Sequence, residues 1–430
     1  MNYQSLNHKA PTVSFQEAVI NGIAPDRGLY FPENMNPLPK EFFENIESYS
    51  NNEIAYELIK QFIGDEIPEK DLKAIIADTL NFEFPLIEIE KNVFSLELFH
   101  GPTMAFKDVG ARFMARCLSY FNKNKTNEVT VLVATSGDTG GAVASGFLGV
   151  KGVNVVILYP SGKVSEVQEK QLTTLGNNIK ALEVKGVFDD CQEMVKTAFL
   201  DPDFTDKIQL TSANSINVAR WLPQMFYFAF AYKQLKNKQK DIVFSIPSGN
   251  FGNICAGMMA QKLGLPITHF IAATNANRVV PNYMQNGNYI PLKSIQTISN
   301  AMDVGNPSNF IRIQNIYNND FNELKNHLSS YSFSDDETRE AMLNIYNNKG
   351  YIADPHGAVG YLGLKKYLNE NSDIQGIFLE TAHPVKFLDV IEPVIKTKIE
   401  LPAQIKKVIN KRKEATLISD YDELKKFLLD

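Results

Sequence analysis

Between roughly residues 90 and 380, apolar β-rich runs alternate with helical patterns, and this alternation limits the chain to few folds. The runs are Val93–Leu98, Val129–Ala134, Val153–Leu158, Ile179–Val184, Ile242–Ile246, Ile267–Ala273 and Ile377–Leu379. Strands separated by helices read as βαβ units, because a parallel pair needs a long crossover and a helix supplies it. Several runs are apolar throughout rather than alternating, as expected of strands covered on both faces. The fold class is therefore α/β, with two parallel-sheet-containing lobes.

The chain ahead of this region, to about residue 90, reads as mostly helical. Ser14 and Glu17 have the spacing of a capping box, and helical patterns follow at Glu53–Ile63 and Glu69–Leu80. The segment Asn34–Lys40, with Pro37 and Pro39, reads as loop. From Tyr283 to Ser334 the chain is rich in Asn, Ser and Pro, which predicts irregular structure and short helices. Residues 1–90, 91–400 and 401–430 are read as an N-terminal segment, a catalytic region of two lobes and a helical tail. Lys406, Lys407, Lys411, Arg412 and Lys413 in that tail suit a solvated helix face, with a docking patch as the other reading.

Charge and cysteine content exclude several classes. There are 43 basic against 49 acidic residues, so no basic excess is available to neutralise nucleic-acid phosphates. Cys117, Cys191 and Cys255 are far apart and form no CxxC pair, so they are read as reduced core residues. The opening residues have neither a basic nor an apolar region of a signal peptide. No apolar run approaches the roughly 20 residues that span a bilayer. A cytoplasmic protein without a membrane partner is expected.

Five segments carry chemistry, four of them at the end of a predicted strand. Ser248-Gly249-Asn250-Phe251-Gly252-Asn253 joins the strand at Ile242 to a helical pattern. Free amides in such a turn, with the positive end of the helix dipole, make an anion cradle. The spacing is neither GxxxxGK[ST] nor GxGxxG, and a plain structural turn is the alternative. His100-Gly101-Pro102-Thr103-Met104-Ala105-Phe106-Lys107-Asp108 places Lys107 at a helix start. A cation is disfavoured at that positive helix end, and an apolar Phe106 beside it favours the neutral amine that a Schiff-base lysine needs. A snorkelling surface lysine is the ordinary alternative.

Thr135-Ser136-Gly137-Asp138-Thr139-Gly140-Gly141 follows the strand at Val129 and opens a helix of small residues. It offers hydroxyls, amides and one carboxylate, or simply a capped helix start. In Asn214-Ser215-Ile216-Asn217-Val218-Ala219-Arg220, Asn214 or Ser215 could cap a helix, with Arg220 about one and a half turns in. Alternatively Ser, Asn and Arg together form a clamp for an anionic group. Glu380-Thr381-Ala382-His383-Pro384 again puts a hydroxyl at a strand end. His383 and His356 read more readily as packed or capping residues than as bases. No zinc pattern and no GxSxG elbow occurs, so no metal is expected.

Together these segments resemble the threonine synthases, in the tryptophan-synthase-β-like (fold type II) group of pyridoxal-phosphate enzymes. The matching pieces are LELFHGPTMAFKD, ATSGDTGGAVA, LTSANSINVAR, IPSGNFGN, IAATNAN, SNAMDVGNPSN and ETAHPVKF, with the opening VSFQEAVINGIAPDRGLYFP. The likeness runs from about residue 3 to about residue 400. It implies pyridoxal 5'-phosphate (PLP) as cofactor, bound covalently to Lys107, with its phosphate on Ser248, Gly249, Asn250, Phe251, Gly252 and Asn253. It also places Asp138 near the phenolic oxygen and Thr381 at the pyridine nitrogen. Thr135, Ser136, Thr139, Asn214, Ser215, Arg220 and Asn250 would bind substrate, chiefly its phosphate.

The reaction so implied takes O-phospho-L-homoserine and water to L-threonine and phosphate. Phosphate leaves from Cγ, water adds at Cβ, and Lys107 moves the protons at Cα and Cβ. Lobe closure over the ligand is expected, since water must wait until the elimination is complete. The helical opening segment resembles the form of the family that is not activated by S-adenosylmethionine. Two rivals keep the same fold: a serine/threonine dehydratase, which does not need the Asn214–Arg220 clamp, and a threonine-synthase-like protein that binds without turnover. A monomer or a homodimer is expected.

Overall fold

A computed structural model describes residues 1–123, 128–204, 207–236 and 238–430. The chain divides into two compact units. One comprises residues 1–31, 107–220 and 401–430, and the other residues 32–106 and 221–400. Neither unit is one continuous stretch of chain, so this division differs from the three consecutive segments read from the sequence.

The first unit is built on a five-stranded, all-parallel sheet. Its spatial order is Thr416–Ile418, Ile179–Val184, Val153–Pro160, Val129–Ala134 and Gln209–Ser212. Every residue of Val129–Ala134 is buried, which its unbroken apolar run dictates. The helix Asp138–Phe147 crosses close to Lys107–Asn122 because it is made of small residues. A Cβ at Gly146 would lie 3.1 Å from the backbone of Ala111. The N-terminal segment joins this unit through Val19, whose carbonyl accepts from Thr211 Oγ1 at 3.0 Å and Asn217 Nδ2 at 2.8 Å. The expected capping box at Ser14 and Glu17 is present, opening the helix Phe15–Asn21.

The second unit holds a six-stranded sheet in the order Leu328–Ser332, His269–Thr274, Asp241–Pro247, Ile374–Glu380, Val93–Glu97 and Leu86–Glu90. All neighbours are parallel except the last pair. The helix Pro355–Leu368 lies directly on this sheet, and glycines permit the approach: a Cβ at Gly363 would stand 2.8 Å from Ala273 Cβ. The helices Asn51–Ile63 and Glu69–Thr79 fall where the periodicity predicts, the first capped by Ser50 with Glu53.

The sequence reading missed several short strands. Leu328–Ser332 lies within the stretch expected to be irregular, yet it forms an edge of the second unit's sheet. The tail contributes the strand Thr416–Ile418 as well as the helix Tyr421–Leu429. Its basic run is not one solvated helix face. Helix covers only Ala403–Lys406, and Lys413 is held by Glu169 at 2.6 Å and Glu183 at 2.7 Å. The three cysteines are free and buried. No helix among the described residues is long and apolar enough to cross a membrane.

Candidate active site

In the second unit the strand Asp241–Pro247 ends in the Ser248–Phe251 turn, and the helix Gly252–Lys262 starts directly after it. Phe251 caps this helix in the left-handed region at φ 62°, an uncommon conformation for a bulky residue. Among the described residues, the backbone N–H groups of Gly249, Asn250, Phe251, Gly252 and Asn253 donate to no protein acceptor. They lie at the positive end of this helix, which is the arrangement an anion cradle needs. The Asn253 side chain is engaged by the turn itself: Nδ2 donates to Pro247 O at 2.9 Å, and Oδ1 accepts from Ile254 N at 2.9 Å.

The outer wall of the cradle was not foreseen. It is the 299–309 segment. A Cβ at Gly249 would stand 2.7 Å from Ala301 O, so only glycine fits there. Asn250 O accepts from Asn309 N at 3.1 Å, and Asn250 Oδ1 accepts from Ser308 N at 3.3 Å. Asp303 fixes the far side of this segment by accepting from Asn275 Nδ2, Thr297 N and Thr297 Oγ1 at 2.7–3.0 Å. Burial, against these hydrogen bonds, raises the Asp303 carboxyl to about 7.

Lys107 is the first residue of the helix Lys107–Asn122 and is half-buried. The chain leading to it is strapped along the end of the strand Ile374–Glu380. Phe106 N donates to Thr381 O at 2.8 Å, His383 N donates to Met104 O at 3.0 Å, and Ala105 bridges Ala382. Tyr227 adds a hydroxyl bond to Phe106 O. Met104, buried with φ 60°, makes the sharp turn in this strap. Thr381 is 6% exposed, and its hydroxyl has no hydrogen-bond partner among the described residues. His383 caps the next turn, its Nδ1 accepting from Val385 N at 3.1 Å. Burial and the neighbouring His100 hold it at about 4, so it is neutral at pH 7.

In the first unit, Thr135 Oγ1 accepts from Gly137 N at 2.9 Å and Gly140 N at 2.8 Å, which shapes the loop that opens Asp138–Phe147. Asp138 is buried and receives Gln168 Nε2 at 3.0 Å. Ser136 and Thr139 are half-buried, with no hydroxyl partner among the described residues. Asn214 Nδ2 donates to Ala134 O at 2.9 Å, which ties the neighbouring strand-end loop to this one.

The helix cap expected at Asn214 or Ser215 is instead Asn217. Its Oδ1 accepts from Ala219 N at 3.0 Å, and its Nδ2 reaches Ser212 O and Val19 O. The helix is short, Val218–Trp221, so Arg220 lies in its first turn. Arg220 is 2% exposed and donates to Ala213 O. Gly110, one turn into the Lys107 helix, meets it: a Cβ there would be 2.3 Å from Arg220 O.

Within the second unit, a hydroxyl at a strand end and a turn of free amides suit a ligand that carries a ring nitrogen and a phosphate. The family model described as pyridoxal-phosphate dependent enzyme matches residues 83–377. The chain is thus a PLP-dependent enzyme of the fold type II class, acting as a lyase. Models of the threonine synthase N terminus and C-terminal part match residues 2–80 and 357–428. Threonine synthase of Buchnera aphidicola (subsp. Baizongia pistaciae) is 43% identical over the whole of both chains. The crystal structure of threonine synthase from Escherichia coli superposes with a TM-score of 0.95 at 38% identity, covering 100% of this chain and 99% of that one. The PLP-bound threonine synthase from Brucella melitensis gives 0.92 at 32%, with the same coverage. The chain belongs to the threonine synthase family.

Proposed function

We propose that the chain converts O-phospho-L-homoserine and water into L-threonine and phosphate. The observation that carries this reading is likeness to threonine synthases over the entire length, N-terminal segment and tail included. A dehydratase reading accounts for neither end.

PLP, when bound, supplies an electron sink for carbanions at Cα and Cβ of the amino acid. Lys107 holds the cofactor and then moves protons at those two carbons. Ser248 through Asn253 receive its phosphate, supported by the free amides at the start of the helix Gly252–Lys262. The Thr381 hydroxyl would meet the ring nitrogen. A hydroxyl there does not force the ring to stay protonated, unlike a carboxylate. Asp138 would lie near the phenolic oxygen.

Ser136, Thr139, Asn214, Ser215 and Arg220 take the substrate phosphate, with Thr135 and Asn250 completing the pocket. Support comes from the half-buried hydroxyls of Ser136 and Thr139 and from the tie between the Thr135 and Asn214 loops. Holding the leaving phosphate in this clamp makes one group serve both departure and selectivity. The enzyme works as a monomer or homodimer on a small-molecule substrate in the cytoplasm, and three free, buried cysteines are in keeping with a reducing compartment.

The test pairs the visible absorbance of the bound cofactor with phosphate release from O-phospho-L-homoserine, using Lys107→Ala as control. Absorbance with phosphate and threonine appearing together, both lost in the variant, is expected. Absorbance with 2-oxo acid released from serine or threonine, and no phosphate from the phosphorylated substrate, would favour the dehydratase.

A further inference from the structure

Behind the strand end that carries Thr381 lies a buried group of ionisable side chains with no part in the reading above. Asp354 and Glu380 are fully buried, and His356 is 2% exposed. His356 Nδ1 stands 2.5 Å from Asp354 Oδ1. Its Nε2 accepts from Ala301 N at 3.2 Å, so Nδ1 carries the ring proton and gives it to Asp354. Asp354 N in turn donates to Glu380 Oε2 at 3.3 Å. Gly357 leaves room for Glu380, since a Cβ there would sit 2.0 Å from Glu380 Oε1.

Protonation follows from this arrangement. Burial and the facing Asp354 carboxylate push Glu380 well above the ordinary carboxyl range. Burial opposes ionisation of Asp354 as well, but His356 and the hydrogen bonds it receives hold it below its usual value. Two like charges in one buried site are unfavourable, so one carboxyl keeps its proton, and the donors select Glu380. The result is a directed chain: Asp354 N–H to Glu380, His356 to Asp354, and Ala301 to His356.

This chain runs between two parts of the cofactor site. Glu380 immediately precedes Thr381. Ala301, at the other end, is the residue whose carbonyl abuts Gly249 in the phosphate cradle. We propose that His356, oriented by Asp354, is a positioning residue for the cofactor: by accepting the Ala301 N–H it fixes the wall against which the Ser248–Asn253 turn is shaped. The inference rests on reading that turn as the cofactor phosphate site.

The test is equilibrium dialysis of the cofactor-free full chain with PLP and, separately, with pyridoxal, which lacks the phosphate. His356→Leu removes the acceptor, whereas His356→Gln keeps an oxygen near the position of Nε2. Both remove the donor to Asp354, so any general loss from that side is shared between them. His356→Leu should weaken PLP binding about tenfold, in the range for a buried donor left unpaired, and leave pyridoxal binding nearly unchanged. His356→Gln should recover most of the PLP affinity. Equal weakening of both ligands, or equal behaviour of the two variants, would overturn the positioning role. Gly249→Ala separates the premise: if it leaves PLP affinity intact, the phosphate-turn reading fails, and this inference with it.

Discussion

Phe106 donates its backbone N–H to the carbonyl of Thr381 at 2.8 Å, joining residues 275 positions apart. The lysine strap and the strand-end hydroxyl are therefore set relative to each other by main chain, independently of either side chain. Replacing Thr381 by Val keeps the bond and the branched shape and removes only the hydroxyl. Thr381→Val should bind PLP nearly as well as wild type while kcat falls about tenfold or more, the size of a lost hydrogen bond to the reacting system. Cofactor titration beside steady-state kinetics checks this. Loss of cofactor binding instead would remove Thr381 from its assigned place.

Arg220 is buried, and one of its N–H groups is used on Ala213. Truncation to Leu should raise KM for O-phospho-L-homoserine more than it lowers PLP affinity, costing roughly 2–5 kcal/mol in kcat/KM as for a buried charge pair. Gly110→Ala should show a weaker form of the same effect, because its Cβ would strike backbone at Arg220 O and overpacking costs about 1–3 kcal/mol in stability. Kinetics and thermal unfolding of both variants measure the two effects. An unchanged KM in Arg220→Leu would exclude it from the clamp.

Asn217 performs three tasks at once: it caps the Val218–Trp221 turn, holds Ser212 O and anchors Val19 O. Asn217→Ala should destabilise the chain by about 2–3 kcal/mol, since a cap and buried acceptors are lost together. Urea unfolding reads this directly. A loss below about 0.5 kcal/mol, the size of an ordinary surface substitution, would contradict it.

His269 and His383 are both held at about 4, chiefly by burial. An unfolded histidine titrates near 6.5, so between these values the unfolded chain binds protons that the folded chain refuses. Stability from this source is present above pH 6.5 and lost as pH falls from about 6.5 towards 4. Each histidine accounts for roughly 2 kcal/mol by pH 5. The urea midpoint should therefore be lower at pH 5 than at pH 7, and His383→Asn should flatten that difference. A pH-independent midpoint would sink the assignment.

Legibility in the sequence followed the range of the interaction. The strands at Val129 and Ile242 were readable because burial on both faces favours a run of apolar residues without alternation. Leu328–Ser332 and Thr416–Ile418 were not, since they are short edge strands with half-exposed residues and owe their conformation to one neighbour. The sequence pointed to Asn214 or Ser215 as the cap, because both residue types suit the position, whereas the cap is Asn217. The contacts at Val19 and Ser212, which distinguish them, come from distant chain.

The sequence by itself determined the α/β class, the strand-end positions of the reactive groups and Lys107 at a helix start, because each depends on local periodicity and turn chemistry. Only the tertiary structure decided that the 299–309 segment walls the Ser248–Asn253 turn. It alone also decided that burial and Asp354 push the Glu380 carboxyl well above its ordinary range and that Thr381 takes the backbone of the lysine strap. These outcomes depend on burial and on partners tens to hundreds of residues away, where desolvation and direct contact, rather than neighbouring sequence, set the energies.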